Sequence, residues 1–265
     1  MAGYEDKILE HYRKEAASKG LSKESTMHDE YIREHESRFI LKEIDREYEK
    51  KEKPLKILEI GCGNGYLLSL LAERYSGCQF WGLEFTRELF ELAKSRALKD
   101  TTIIEGDCSV RHFDEQSFDI VISERVLINI LDNNDKIESL RQIYSALKVK
   151  GKYIMVESFN EPLSNLNKAR KELAMEEIKP AYHNEYLDEG IIDLLKNSGF
   201  KEIEPALPAN FLSTHYFLTR ILHESVRPKQ GQIKNTEFVK FFDEALLPAI
   251  GNYSPVLFRV FEKKS

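Results

Sequence analysis

The residues Gly61-Cys62-Gly63-Asn64-Gly65 come straight after the apolar run at 56–60 and straight before a helical pattern that begins at Tyr66. A buried strand that turns through glycines into a helix predicts a parallel α/β sheet. Glycine lets the backbone reverse sharply and approach a ligand with no Cβ in the way. The same alternation continues along the chain. Strands are predicted at 56–60, 79–84, 102–105, 118–123, 152–157, 201–206 and 255–262, with helices at 66–75, 87–97, 135–147 and 191–198. Gly199 closes the last of these helices as a C-cap residue.

The 265 residues suffice for one such core with additions. Residues 1–53 are polar but helical in pieces, with Ile8, Tyr12 and Ala16, then Tyr31, Phe39, Ile40, Leu41 and Ile44, on either side of a polar loop. They are read as an N-terminal helical lid on a domain spanning 54–265. Two connections, 160–190 and 207–253, exceed what a minimal sheet needs and are expected to build the acceptor site beside the strand ends. No apolar run near the start suits a signal or a membrane span, so a cytoplasmic protein without membrane contact is expected. A formal net charge of -6 argues against a general nucleic-acid surface. Cys62, Cys78 and Cys108 are too far apart for a zinc knuckle and odd in number for a disulfide framework, so reduced thiols and no metal are expected. The oligomeric state is not legible.

Gly61, Gly63 and Gly65 depart from the dinucleotide fingerprint, because its sixth position is Tyr66 here rather than glycine. Glu59, just before the loop, would repel a pyrophosphate and suits a ligand with an ammonium group, such as the amino-acid tail of S-adenosylmethionine (SAM). Glu84 ends the second strand, where a carboxylate can accept hydrogen bonds from both ribose hydroxyls. Asp107 and Cys108 follow the third strand and suit the adenine amino group, and the fourth strand brings Glu124 to the same edge.

At these positions the chain resembles class I SAM-dependent methyltransferases, with 59–65 as the glycine motif, Glu84 and Asp107 after it, and 118–123 as the fourth strand. The resemblance implies a seven-stranded Rossmann-like sheet with an antiparallel last strand, SAM as cofactor and S-adenosylhomocysteine as product. A narrower likeness, in 123–129, in Ser25-Thr26-Met27-His28-Asp29 and in 210–217, is to small-molecule O-methyltransferases that act on phosphonates and surface-glycan intermediates. It implies an acceptor that is a small polar or anionic metabolite: a phosphonate, a phosphoryl-bearing compound or an activated sugar. Amide and nucleobase N-methyltransferases carry Asn/Asp-Pro-Pro-Tyr after the fourth strand, where this chain has Ser123-Glu124-Arg125-Val126. The run Asp132-Asn133-Asn134-Asp135 is read as a solvated loop and helix start rather than a metal site.

For the acceptor end, Arg125 is expected at the mouth of the site, able to fork onto a phosphoryl or carboxylate group unless it pairs with Glu124 or Glu157. Tyr12, Tyr31, Arg33, Asn184, Tyr216 and Arg220 are the other candidates for holding the acceptor. An alcohol acceptor would want a base, for which His28, His183 and His215 are candidates. The competing readings are a SAM-binding module without catalysis and an RNA methyltransferase.

Overall fold

The structure is a computed structural model that describes residues 4–25, 27, 29–50, 53–226 and 235–264. Seven strands, β1 (Lys56–Ile60), β2 (Gln79–Glu84), β3 (Thr101–Glu105), β4 (Phe118–Glu124), β5 (Leu147–Ser158), β6 (Phe200–Ile203) and β7 (Val256–Lys263), form one sheet in the order β3-β2-β1-β4-β5-β7-β6. β1 to β5 are parallel, and β7 runs antiparallel between β5 and β6. The order reverses between β1 and β4, which opens a crevice at the carboxyl ends of those strands, where open α/β sheets bind ligands.

Side chains alternate across the sheet with period two. Ile57, Ile120, Ile122, Ile154 and Val156 face one apolar layer, while Leu58, Val121, Tyr153 and Met155 face the other. Helices α3 (Tyr66–Arg74) and α4 (Arg87–Ser95) cover the first face. Helices α5 (Asn133–Ala146) and α7 (Gly190–Asn197) cover the second. β5 starts well before the predicted 152, because Gly151 sits where a Cβ would meet the Lys148 and Asp119 carbonyls, and the strand continues through it with a register shift against β4.

The N-terminal segment divides in two. Helix α2 (Glu30–Tyr48) buries Ile32, Phe39, Ile40 and Ile44 in the first apolar layer and is part of the core. Helix α1 (Tyr4–Lys19) lies on α4 and contributes Ile8 and Ala16 to the buried set. Each inserted segment carries helices of its own. Residues 160–190 open with α6 (Asn160–Glu172). Residues 207–253 contain α8 (Ser213–Phe217), a π turn (Leu218–Leu222), α9 (His223–Val226) and α10 (Glu237–Ala245). Arg170 of α6 ties the two segments together with hydrogen bonds to Glu224 at 2.9 and 3.1 Å.

Candidate active site

A cavity of about 180 Å³ occupies the crevice at the β1/β4 reversal. Its floor is the glycine turn. Gly61 takes φ 62°, and a Cβ there would meet Val126 Cγ2 at 2.5 Å, so the loop after β4 closes against bare backbone. Gly63, φ 56°, turns its N–H to Glu84 Oε2 at 2.8 Å, and the other oxygen of Glu84 accepts from Thr86 N at 2.8 Å. Two amides therefore fix this carboxylate, which lines the cavity together with Glu59, Asp107, Cys108 and Glu124. Burial raises the Glu84 carboxyl and the two amides oppose the rise. Asp107 accepts from the backbone and hydroxyl of Ser109 at 2.8 and 2.9 Å. Gly65 has a different task. It does not line the cavity; it caps α3 at φ 74°, where a Cβ would press on Ala93 at 3.2 Å, so its bareness serves helix packing.

Beside the glycine turn lies a buried charge cluster. Arg33 of α2 donates Nη1 to Glu124 Oε1, and Arg125 reaches the same oxygen at 3.3 Å and Glu36 of α2 at 3.1 Å. Arg125 is turned toward α2 by a left-handed backbone, φ 56°, at the point where the chain leaves β4. Burial pushes Glu36 up to about 8 against the pull of Arg125. Burial acts on Glu124 in the same sense, but Arg33 and Arg125 outweigh it and hold that carboxyl below its usual range. Glu59 is raised well above the usual range by burial and by Glu124. Arg125 thus takes the pairing with Glu124 that was its alternative role, and adds Glu36. Glu157 instead accepts the N–H groups of Val126 and Leu127 at 3.0 and 3.1 Å and holds the loop after β4 in place.

α1 roofs this cavity with Ile8 and Tyr12. Burial raises the Tyr12 phenol to about 12. Arg33 lines the wall, and Tyr31, Asn184, Tyr216 and Arg220 do not. Tyr31 is stacked between His35 and His215, with ring centroids 3.8 and 4.1 Å away. Arg220 bonds Asp29 at 3.0 Å and lies over the Tyr216 ring. None of the histidine candidates that the structure describes lines the cavity. His183 stacks on His11 of α1 at 3.9 Å, and burial lowers it to about 4. His215 is buried, 2.8 Å from Asp243 and 3.6 Å from Asp29. His28 lies outside the described residues.

Sequence reasoning gave no site role to Glu36 and Asn129, and read Asp132 and Asp135 as part of a solvated loop and helix start. The last three line the cavity, and Asp132 also caps α5 through Asn134 N at 2.8 Å. Glu36 had a signal: it falls on the apolar stripe of Ile32, Phe39 and Ile40, and a carboxylate on a buried helix face needs a partner. Among the described residues no three His, Cys, Asp or Glu side chains form a group that could hold a metal ion, and no helix is long and apolar enough to cross a membrane.

A seven-stranded sheet of this order, with a glycine cradle after β1 and carboxylates at the ends of β1, β2 and β4, defines the class I SAM-dependent methyltransferase fold, whose cofactor is S-adenosyl-L-methionine. Residues 57–151 match the family described as "Methyltransferase domain", and that part of the chain is a class I SAM-dependent methyltransferase domain. It is 24% identical over 153 residues to a malonyl-[acyl-carrier protein] O-methyltransferase of Bacillus cytotoxicus, covering 57% of this chain and 52% of that one. Phosphoethanolamine N-methyltransferase 1 of Arabidopsis thaliana is 24% identical over 151 residues, 56% of this chain and 29% of its own. The chain thus spans about half or less of the length of these relatives. A TehB-like SAM-dependent methyltransferase from Corynebacterium glutamicum shares the fold at a TM-score of 0.52, with 17% identity and 98% of each chain covered.

Proposed function

We propose that this chain transfers the methyl group of SAM to an oxygen of a small polar metabolite. The observation that carries the reading is a single cavity in which the glycine cradle, Glu59, Glu84 and Asp107 continue into a second, roofed end at Tyr12, Arg33, Glu124 and Arg125. SAM supplies the electrophilic methyl. Glu59 would hold its ammonium, Glu84 its ribose hydroxyls and Asp107 its adenine amino group. The orphaned Glu59 Oε2 and the bare backbone at Gly61 support that assignment. Displacement at a methyl carbon needs the nucleophile aligned and water excluded, and α1 is the part of the N-terminal segment suited to act as the lid.

The roof that α1 lays over the cavity favours a small acceptor over a nucleic acid, as does the surplus of carboxylates around the whole cavity, where Glu59, Glu84, Asp107, Glu124, Asp132 and Asp135 face only Arg33 and Arg125. Arg33 and Arg125 are both committed to carboxylates. That favours a neutral hydroxyl, as on an activated sugar, over a phosphonate, whose charge would have to compete with Glu36 and Glu124. Incubation with SAM and fractionated small metabolites, read as S-adenosylhomocysteine formed and as methylated product by mass, tests this. Turnover with a hydroxyl compound is the expected result. Tight SAM binding with no turnover on any fraction would leave a binding module, and methylated phosphonate would restore the anionic acceptor.

A further inference from the structure

Far from the glycine turn in sequence, the second inserted segment carries a concentration of exposed apolar side chains. Among the described residues Phe238, Phe241, Leu246, Leu247 and Ile250 all stand in solvent, Phe241 64% and Leu247 77% exposed. Elsewhere in the chain such side chains are scattered singly. A gathered apolar patch marks an interaction surface, where a lone exposed leucine does not. The patch is held in shape from behind. α10 turns Val239 and Asp243 inward: Val239 is buried, and Asp243 lies 2.8 Å from His215. Past the helix, the Leu247 carbonyl accepts the Thr214 hydroxyl, the Pro248 carbonyl accepts Thr214 N at 3.0 Å, and the Ile250 carbonyl accepts Ser213 Oγ at 2.8 Å. The apolar side chains are therefore presented on a fastened backbone.

The charges on α10 say what fits it. With about 3.6 residues per turn, Phe238, Phe241 and Ala245 fall on one half of its outer face, and Glu237, Lys240 and Glu244 on the other. Glu237 and Glu244 are both exposed, which opposes docking on an anionic lipid surface. The face is instead complementary to itself. Two copies run antiparallel about a two-fold axis bring charged half to charged half and apolar half to apolar half. One register sets Lys240 against the partner's Glu244, and the symmetry makes that contact twice. The same register sets Phe238 against the partner's Leu246. Within its own chain Lys240 pairs with Glu237 at 2.9 Å, an exposed contact three residues along the helix that contributes little and is readily exchanged. We propose that the outer face of α10, with the turn at 246–250, joins two copies of this chain in an antiparallel two-fold dimer.

Sedimentation velocity of the full chain over a range of micromolar concentrations should show a species of twice the mass of one chain. Phe241→Asp should weaken the association about tenfold or more, the scale of an aromatic anchor buried at an interface. Charge exchange tests the register. In a self-pair, Lys240→Glu sets carboxylate against carboxylate and Glu244→Lys sets ammonium against ammonium. Each variant alone should therefore associate about tenfold more weakly than wild type. An equimolar mixture of the two restores opposite charges at both contacts and should recover the dimer. Damage to folding could not produce that recovery. A wild-type chain that stays monomeric throughout overturns the proposal, whether or not it floats with anionic lipid vesicles. Undiminished association of Phe241→Asp also overturns it, as does a mixture no more dimeric than its components.

Discussion

At the residue scale, the most informative group is Glu157. It is fully buried, it accepts the amides of Val126 and Leu127, and burial pushes it up to about 7. A carboxyl in the unfolded chain titrates near about 4.3. Between those values the folded state binds the proton more tightly, so this group's stabilisation is complete below the unfolded value and fades as pH rises through about 7. Glu36 acts in the same sense, and Glu124, held low by its two arginines, acts in the opposite one. In Glu157→Gln, the fall of the unfolding free energy, measured by urea titration between mildly acidic and neutral pH, should flatten by up to about 1.4 kcal/mol per pH unit, the limit for one proton. A slope equal to wild type would show that the carboxyl does not titrate there. Gly61→Ala faces both the left-handed backbone and Val126 at 2.5 Å. It should cost about 1–3 kcal/mol in chemical denaturation and weaken SAM binding in the same protein. Gly65→Ala shares the left-handed backbone but presses on the flank of α4 at 3.2 Å, away from the cavity, so its loss should fall on stability with little change in cofactor affinity.

At the element scale, α1 and α2 should part company in hydrogen exchange. α2 buries Ile32, Phe39, Ile40 and Ile44, whereas among the described apolar side chains of α1 only Ile8 and Ala16 are buried. Amides of α1 should therefore exchange well before those of α2, and S-adenosylhomocysteine should slow them selectively, because Ile8 and Tyr12 cover the cavity. Equal protection of both helices without ligand would mean that α1 is no lid. Most elements were legible in the sequence, because apolar alternation and glycine punctuation are local signals. β1 and β2 fall at the predicted bounds. The start of β5 was not legible. Lys148-Val149-Lys150 reads as a turn ahead of Gly151, yet the strand runs through it as an irregularity between the Leu147–Phe118 and Lys152–Ile120 pairs, where Lys148 bridges Asp119 at 2.9 Å. The split between α1 and α2 was hidden for a related reason: both are polar amphipathic helices, and which one is buried depends on where the sheet lies.

At the scale of the whole molecule, the acidic lining beside the glycine turn, where the cofactor is proposed to sit, could be anticipated because four strand ends deliver its residues in chain order. The other end was not. Arg33 and Glu124 are 91 residues apart and Arg220 and Asp29 are 191 apart, and no local pattern announces pairs at such separations. The same distances explain the histidines. His215 was a plausible base in sequence, yet the fold encloses it between Asp29 and Asp243, away from the cavity. Because the cavity draws on α1, α2, the glycine turn and the β4 loop together, a ligand there should stabilise the fold as a unit. S-adenosylhomocysteine at a hundredfold excess over its dissociation constant should add about 2.7 kcal/mol, a rise in midpoint of about 5–10 °C for a domain of this size. A rise confined to a minor early transition would instead point to a separately melting lid.

The π turn at Leu218–Leu222 places Arg220 against Asp29 while His215, one turn earlier, stays against Asp243. Such a turn is an α-helix with one residue too many, so it acts as a reading frame for everything it joins. Excising a single residue from it would restore a regular helix and rotate one side against the other by about 100°. Either Arg220 or His215 would then lose its aspartate. A homologue one residue shorter at this point has to fasten the start of α2, and with it Arg33, by other means.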